Sequence, residues 1–252
     1  MRKIQLTLIQ IDNYGPWTVT PEPRREFELQ VLQAELFAEL ERQFGSRGGL
    51  VFPTRFDNLL AVTNGISMEE HREIQRLINQ KFPVTVSMSV GAAATPYQAQ
   101  VQATLCLQRV GSSQSAERRS ALVGSPVCYP DQDWVQIAHM DINHSTLITD
   151  SEPIYDTHFL LQRAHLSLIQ MFLRRNALVF YMGGDNIMAL SNGLEVSEIA
   201  EVLAEVKAEM GLELKAGVGA APTAEKAARL ASEGLHEIRK NRNKSTIIFK
   251  SA

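Results

Sequence analysis

The sequence predicts an α+β protein built from two tandem βαββαβ units related by internal duplication, and three observations carry that expectation. An apolar strand closing on aspartate occurs twice, as Leu6-Thr7-Leu8-Ile9-Gln10-Ile11-Asp12-Asn13 and as Val135-Gln136-Ile137-Ala138-His139-Met140-Asp141-Ile142-Asn143. Each is followed by a second aspartate in an apolar hairpin, Asp57 in Arg55-Phe56-Asp57-Asn58 and Asp185 in Gly183-Gly184-Asp185-Asn186, at spacings of 57 − 12 = 45 and 185 − 141 = 44. Downstream, Asn64-Gly65 matches Asn192-Gly193 and Gly91-Ala92-Ala93 matches Gly219-Ala220-Ala221, both at an offset of 128. A chain of 252 residues that repeats itself in this way divides into two domains, expected at 1–125 and 126–252.

In the first half, residues 4–12 read as a buried strand. Pro21 to Arg25 open a helix whose Leu29, Leu32, Leu36 and Leu40 recur at spacings of three and four, one apolar stripe ended by Gly45 to Gly49. Leu50 to Arg55 and Leu59 to Thr63 form a hairpin turning at Asp57-Asn58. Ser67 and Glu70 form a capping box for a helix to Lys81, Phe82 to Val90 is strand-like, and Pro96 supplies the first turn of a helix to Val110. Gly111 to Asp133, rich in Ser, Gly, Pro and charge, reads as a linker.

The second half repeats the order with a strand at 134–142, a helix at 154–175, hairpin strands at 177–182 and 187–191, a helix at 197–210, a strand at 212–219 and a helix at 223–240. That last helix points Ala227, Ala231, Leu235 and Ile238 inward. A final strand, Thr246 to Phe249, has no evident first-half twin. A βαββαβ unit folds as a four-stranded antiparallel sheet with helices on one face, the ferredoxin-like or palm architecture. Its first strand lies beside its third, so Asp12 is expected near Asp57 and Asp141 near Asp185, with the two halves superposing acid on acid.

Bulk composition narrows the partners. With 25 Lys and Arg against 28 Asp and Glu, the net charge is −3, which is not the footprint of a protein that binds polymeric nucleic acid. A metal-neutralised nucleotide needs no such surface. Two cysteines, Cys106 and Cys128, make no disulfide framework and no cysteine-rich zinc site, and a cytoplasmic setting without leader or membrane span is expected.

Hard divalent cations such as Mg2+ take a few carboxylate oxygens and complete their shell with water and phosphate oxygens, a requirement met by two aspartates from adjacent strands. Gly183 and Gly184 let backbone approach a phosphate group. His139, two residues before Asp141, shares its side of the strand and is either an acid or base near the site or a hydrogen-bonded core histidine. Arg24, Arg25, Arg239, Lys240, Arg242 and Lys244 are candidate phosphate contacts or a solvated basic face, and Tyr14, Trp17 and Phe56 candidate base-stacking groups or packing.

On Gln10 through Trp17, Pro21 through Glu26, Gly48 through Phe52, Thr54 through Asn58, Gly183 through Asn186 and Leu214 through Gly219, the chain resembles the archaeal GTP cyclohydrolase III family across nearly all of its length. The resemblance implies an Mg2+-dependent enzyme that opens the imidazole ring of GTP and removes two phosphates. The product expected is the formylaminopyrimidine ribonucleotide monophosphate, an early intermediate toward riboflavin and deazaflavin cofactors. It also implies two or more Mg2+ ions, a potassium-like activator, no zinc, and a homo-oligomer. More distantly, the second half is similar to GGDEF diguanylate cyclases and class III nucleotidyl cyclases. By position, Asp141, the Ile142 carbonyl and Asp185 would hold metal, with Asp12 and Asp57 a second site or a base-binding surface. Asn13, Phe56, Gly183, Gly184, Asn186 and Arg239 would meet the substrate. Asn186-Ile187 stands where the diguanylate cyclases have an acid and a phenylalanine, and Arg55-Phe56 stands where the second half has its double glycine. A cyclase-like phosphoryl transferase and a catalytically silent GTP-binding module are the competing readings.

Overall fold

The computed structural model describes residues 2–143, 145–241 and 246–252. The candidate contacts Arg242 and Lys244 lie outside the described residues. Two compact units result, one of residues 1–94 and 98–133, the other of 95–97 and 134–252. The expected boundary at 125–126 falls short of this division because the linker is stitched onto the first unit. Leu122–Gly124 pairs in parallel with the strand through Met88, Gln75 Nε2 donates to the Ala121 carbonyl at 3.0 Å, and Val127 N donates to Gln5 Oε1 at 2.7 Å.

The first unit runs β1 (Ile4–Ile11), α1 (Tyr14–Val19), α2 (Glu26–Gly45), β2 (Leu50–Arg55), β3 (Asn58–Val62), α3 (Met68–Lys81), β4 (Val86–Ala93), α4 (Pro96–Arg109) and β5 (Leu122–Gly124). The second runs β6 (Val135–Ile142), α5 (Ser145–Ser151), α6 (Ile154–Leu173), β7 (Leu178–Gly183), β8 (Asn186–Leu190), α7 (Val196–Met210), β9 (Leu214–Ala221), α8 (Ala224–Asn241) and β10 (Ile247–Ser251). Sheet orders are β2-β3-β1-β4-β5 and β10-β9-β6-β8-β7, antiparallel except for the outer β4–β5 and β9–β10 pairs. The closing strand therefore has a twin after all: β5, drawn from the linker. The short helices α1 and α5, also absent from the sequence reading, follow the first strand of each unit.

Helices cover both faces of each sheet rather than one. Ile9 and Ile11 pack with Leu36 and Leu40 of α2 and Ile74 and Ile78 of α3, and Met140 and Ile142 pack likewise with Leu168 of α6 and Val202 of α7. Strand alternation then sends Gln10, His139 and Asp141 to the opposite face, under α4 or α8. There α8 can lie close because β9 is glycine-rich: a Cβ on Gly217 would sit 1.9 Å from the Ala231 carbonyl oxygen, and one on Gly219 would sit 2.0 Å from that of Ala227. Close packing fixes where α8 delivers Ser232 and Arg239.

Pairing shows how the halves correspond. Leu6 faces Val62 and Gly91 as Ile137 faces Leu190 and Gly219, so the first strands match at 137 − 6 = 131 while everything downstream matches at 190 − 62 = 128. Asp141 therefore corresponds to Gln10, and Asp12 corresponds to Asn143; Asp12 N donates to the Thr85 carbonyl at 2.9 Å as Asn143 N donates to that of Glu213 at 2.7 Å. The expected superposition of Asp12 on Asp141 is corrected by two residues, whereas Asp57 and Asp185 do correspond.

Candidate active site

In the second unit, β6 carries Asp141 opposite Asn186 at the start of β8, and the β7–β8 turn holds Asp185 beside it. Gly183 and Gly184 both adopt positive φ, 100° and 62°, a conformation that costs a side-chain-bearing residue energy and that tucks the turn under Asp185. Tyr181 Oη donates to the Gly184 carbonyl at 2.7 Å and steadies it.

The Asp141 and Asp185 carboxyls are in hydrogen-bonding contact. Asp141 is buried, and burial first and Asp185 second push its pKa above the ordinary aspartate value against the pull of Arg239. For Asp185, burial pushes upward, yet hydrogen bonds from Ser145 and Asp141, its own backbone amide and the Arg239 charge outweigh it and hold the group below the usual value. Two carboxylates this close resist double ionisation unless a cation joins them. Arg239 partly supplies one: its Nη2 and Nε lie 2.7 Å and 3.1 Å from Asp141 Oδ2. The pair thus already draws a cation to its mouth, which is the property an Mg2+ site requires. Ile142 ends β6 with its side chain in the core.

His139 also lies on the α8 side. Its Nε2 is 3.2 Å from Asn186 Oδ1 and its Nδ1 is 3.1 Å from Ser232 Oγ, and burial first, then the Arg239 charge, press its pKa down. Neutral histidine satisfies both partners if Nε2 donates to Asn186 and Nδ1 accepts from Ser232. On the other side of Asp185 a cavity of about 430 Å³ opens between the turn, α5 and α6, lined by Ser145, Thr157, His158, Leu161, Tyr181 and Gly184. His139 does not line it. Ser145, Thr157, His158 and Tyr181 were missed from sequence because α5 was not read as an element at all, while the start of α6 and β7 read as ordinary helix and hairpin strand. The available sign was Ser145, a hydroxyl four residues past Asp141.

The first unit assembles nothing comparable. Asp12 is buried with both oxygens taken: Oδ1 by Ser87 Oγ at 2.6 Å and Arg118 Nη2 at 3.2 Å, Oδ2 by Thr85 Oγ1 and the Ser120 amide, each at 2.8 Å. A carboxylate has about four lone-pair sites and here all four are used, so Asp12 locks the linker to β4 and does not present a metal ligand. Asp57 pairs instead with Arg55 Nη2 at 3.1 Å, and Phe56 stands half exposed at the hairpin tip. Asn13 takes a left-handed conformation, φ 52°, ahead of α1, its N–H donating to the Ser113 carbonyl at 2.6 Å. Tyr14 and Trp17 stack at 6.0 Å with Arg24 over the Trp17 ring at 3.8 Å, and Arg25 is paired with Glu28, so these residues serve one another.

The second unit is thus a palm-type sheet with a carboxylate pair at the β7–β8 turn, and comparison with known sequences says which family the chain belongs to. Residues 4–251 match the family model of GTP cyclohydrolase III, and the chain belongs to that family. Relatives include the GTP cyclohydrolase III of Methanothermobacter thermautotrophicus, 54% identical over 94% of both chains, and that of Methanobrevibacter smithii, 52% identical over 95% of both. That of Methanocaldococcus jannaschii is 48% identical over 94% of this chain and 88% of its own. Among solved structures, the GGDEF domain of DgcB from Caulobacter crescentus in complex with c-di-GMP aligns with 46% of this chain and 77% of its own at TM-score 0.40 and 14% identity. A bacterial light-regulated adenylyl cyclase aligns with 99% of this chain and 85% of its own at TM-score 0.38 and 10% identity. Both are too distant to bear on chemistry.

Proposed function

We propose that this chain hydrolyses GTP as its family's name states, opening the imidazole ring and releasing two phosphates, with the chemistry centred on Asp141 and Asp185. The observation that carries the reading is the pair of touching carboxylates, a buried Asp141 and a half-buried Asp185, beside a cavity of nucleoside size, in a chain half identical to GTP cyclohydrolases III. Overall, three waters are consumed: one adds at carbon 8 as the carbon 8 to nitrogen 9 bond breaks, leaving the formyl group on nitrogen 7, and two cleave the phosphate bonds.

Asp141, Asp185 and the Ile142 carbonyl would hold Mg2+. When bound, Mg2+ neutralises the triphosphate and acidifies a coordinated water. Arg239, at the last turn of α8, exchanges Asp141 for phosphate oxygens. The Gly183-Gly184 backbone borders the phosphates without a side chain in the way. Tyr181, Leu161 and His158 line the space for base and ribose. Asn186 is held in place by His139, which acts as a positioning residue and leaves the reacting atoms to groups that reach the cavity. Asn13 and Phe56 lie in the first unit, and their expected substrate contact has no support within it.

Exposed Tyr155, Phe159 and Leu166 on α6 support a homo-oligomer, and the free Cys106 and Cys128 support a cytoplasmic setting. Among the described residues no helix is long and apolar enough to cross a membrane. The place early in riboflavin and deazaflavin synthesis and the potassium-like activator rest on the family resemblance. The test is incubation with GTP and Mg2+ after treatment with a zinc chelator. Mass spectrometry should find the formyl-bearing pyrimidine monophosphate, inorganic phosphate and no free formate. A cyclic or dinucleotide product with intact purine would overturn the reading.

A further inference from the structure

The first unit keeps a cleft where the second has its carboxylate site, but with different chemistry on the wall. By the register of the strands and by the close seating of α4 on Gly91, Leu8, Gln10, Asn58 and Thr104 stand where the second unit has His139, Asp141, Asn186 and Ser232. The cleft measures about 400 Å³, and none of the described residues lining it is an acid. Its polar wall includes Gln10, Asn58, Thr104, Gln108, Ser112, Ser113 and Arg118.

Two donors on that wall are buried and unpartnered. Gln10 Nε2 donates to Asn58 Oδ1 at 2.7 Å, which leaves the Asn58 Nδ2 hydrogens without an acceptor. Arg118, only 5% exposed, donates through Nη1 to the Gly111 carbonyl at 3.3 Å and through Nη2 to Asp12 at 3.2 Å, while its Nε finds no partner. Buried donors without acceptors are costly, and native folds keep few of them unless something else completes them. Both belong to residues that line one cleft rimmed by three hydroxyls. A cation finds no carboxylate in it. An oxyanion finds amide, guanidinium and hydroxyl donors and no like charge on the wall.

We propose that this cleft is a metal-free phosphoryl-binding site. Duplication would thus have produced one site that takes phosphate through a cation and another that takes it directly. The ligand is an inorganic phosphate or the phosphate of a small phosphomonoester, the two kinds of group that a reaction stripping a triphosphate to a monophosphate leaves behind. Binding itself does not depend on that reaction.

The experiment is calorimetric titration of the full chain, stripped with EDTA, with inorganic phosphate and separately with ribose 5-phosphate. One equivalent per chain should bind, and Gln10→Glu and Ser112→Glu should each weaken it at least tenfold by placing a carboxylate on the wall. Arg239→Ala, which removes the second unit's own guanidinium, should leave the isotherm unchanged. Tighter binding of ribose 5-phosphate identifies a phosphomonoester, and equal binding identifies the bare ion. Circular dichroism checks each fold, and because Ser112 is exposed at the rim, its variant carries the test if Gln10→Glu does not fold. Heat from neither ligand overturns the proposal, as does binding that Arg239→Ala abolishes and the cleft variants spare.

Discussion

The two units put their acids to opposite uses. In the second, Asp141 and Asp185 touch each other, with Arg239 on Asp141 and Ser145 on Asp185; in the first, Asp12 is saturated by four donors and Asp57 is paired along its own hairpin. One scaffold thus keeps two carboxyl groups in contact, with the Asp141 pKa raised, while the other has turned its strand-end acid into a lock for the linker. An aspartate at a strand end is therefore not evidence of a metal ligand until its hydrogen-bond partners are counted.

The largest effect should come from the second unit. Asp185→Asn or Asp141→Asn should lower turnover at least about a hundredfold, or about 2.7 kcal/mol, since an amide offers a hard cation one neutral oxygen. The circular dichroism spectrum should stay native. A variant keeping more than a tenth of the activity would show that its residue is not a principal ligand.

Asp12→Asn should behave in the opposite way. It strands Arg118 in the interior, and breaking a buried pair from one side costs about 3–5 kcal/mol, so chemical denaturation should register a large loss while turnover per folded molecule stays near normal. Asp57→Asn removes a partly exposed pair with Arg55 and should cost less than about 1 kcal/mol. If instead Asp12→Asn folds as well as the parent and loses activity, the contrast between the units fails.

Much of this was legible in the sequence, and the failure has an identifiable origin. Element order, both hairpin turns, the Ser67–Glu70 capping box and the pairing of Asp141 with Asp185 follow from periodicity and spacing, and all appear. The internal alignment slipped because the first unit has 26 − 12 = 14 positions from Asp12 to the start of α2, where the second has 154 − 143 = 11 from Asn143 to the start of α6. Three extra residues there displace the first strands relative to everything downstream. Matching Asp12 to Asp141 errs by two residues, and an even slip preserves strand alternation, so the pattern looked correct. The donors around Asp12 were illegible because Ser87, Arg118 and Ser120 are 75 to 108 residues away along the chain.

That register makes the contrast reversible. Gln10→Asp combined with Arg55→Gly and Phe56→Gly rebuilds in the first unit the acid pair and double glycine of the second. The variant should gain one Mg2+ equivalent by calorimetry over its parent. An unchanged stoichiometry would mean that the difference between the units lies deeper than these three positions.

The smallest effect concerns acid stability, because the first unit packs α3 through a buried histidine and a buried glutamate at positions where the second unit has Ile199 and Ser167. His71, fully buried, has Nδ1 2.7 Å from the Ser67 carbonyl and Nε2 2.7 Å from Thr7 Oγ1; its positional counterpart is Ile199, and that of Thr7 is Ala138. Burial presses the His71 pKa below 6.5, so the unfolded chain binds a proton first; the contribution is whole above about 6.5 and is lost as pH falls through the lower folded value. Glu39, held to about 2 by Lys81, Gln43 and Arg42, ties α2 to α3, and its contribution is whole above about 4.5 and fades as pH falls toward 2. The corresponding tie in the second unit is the Ser167 hydroxyl on Glu209 at 2.9 Å. Hydrogen exchange followed from pH 7 to pH 4 should therefore show α3 losing protection before α7. Replacing His71 with Gln should shrink the gap that opens as pH falls below 6.5, and Glu39→Gln should shrink it below 4.5. Equal loss in both units, unmoved by either variant, would mean that these buried groups do not set the acid limit of the first unit.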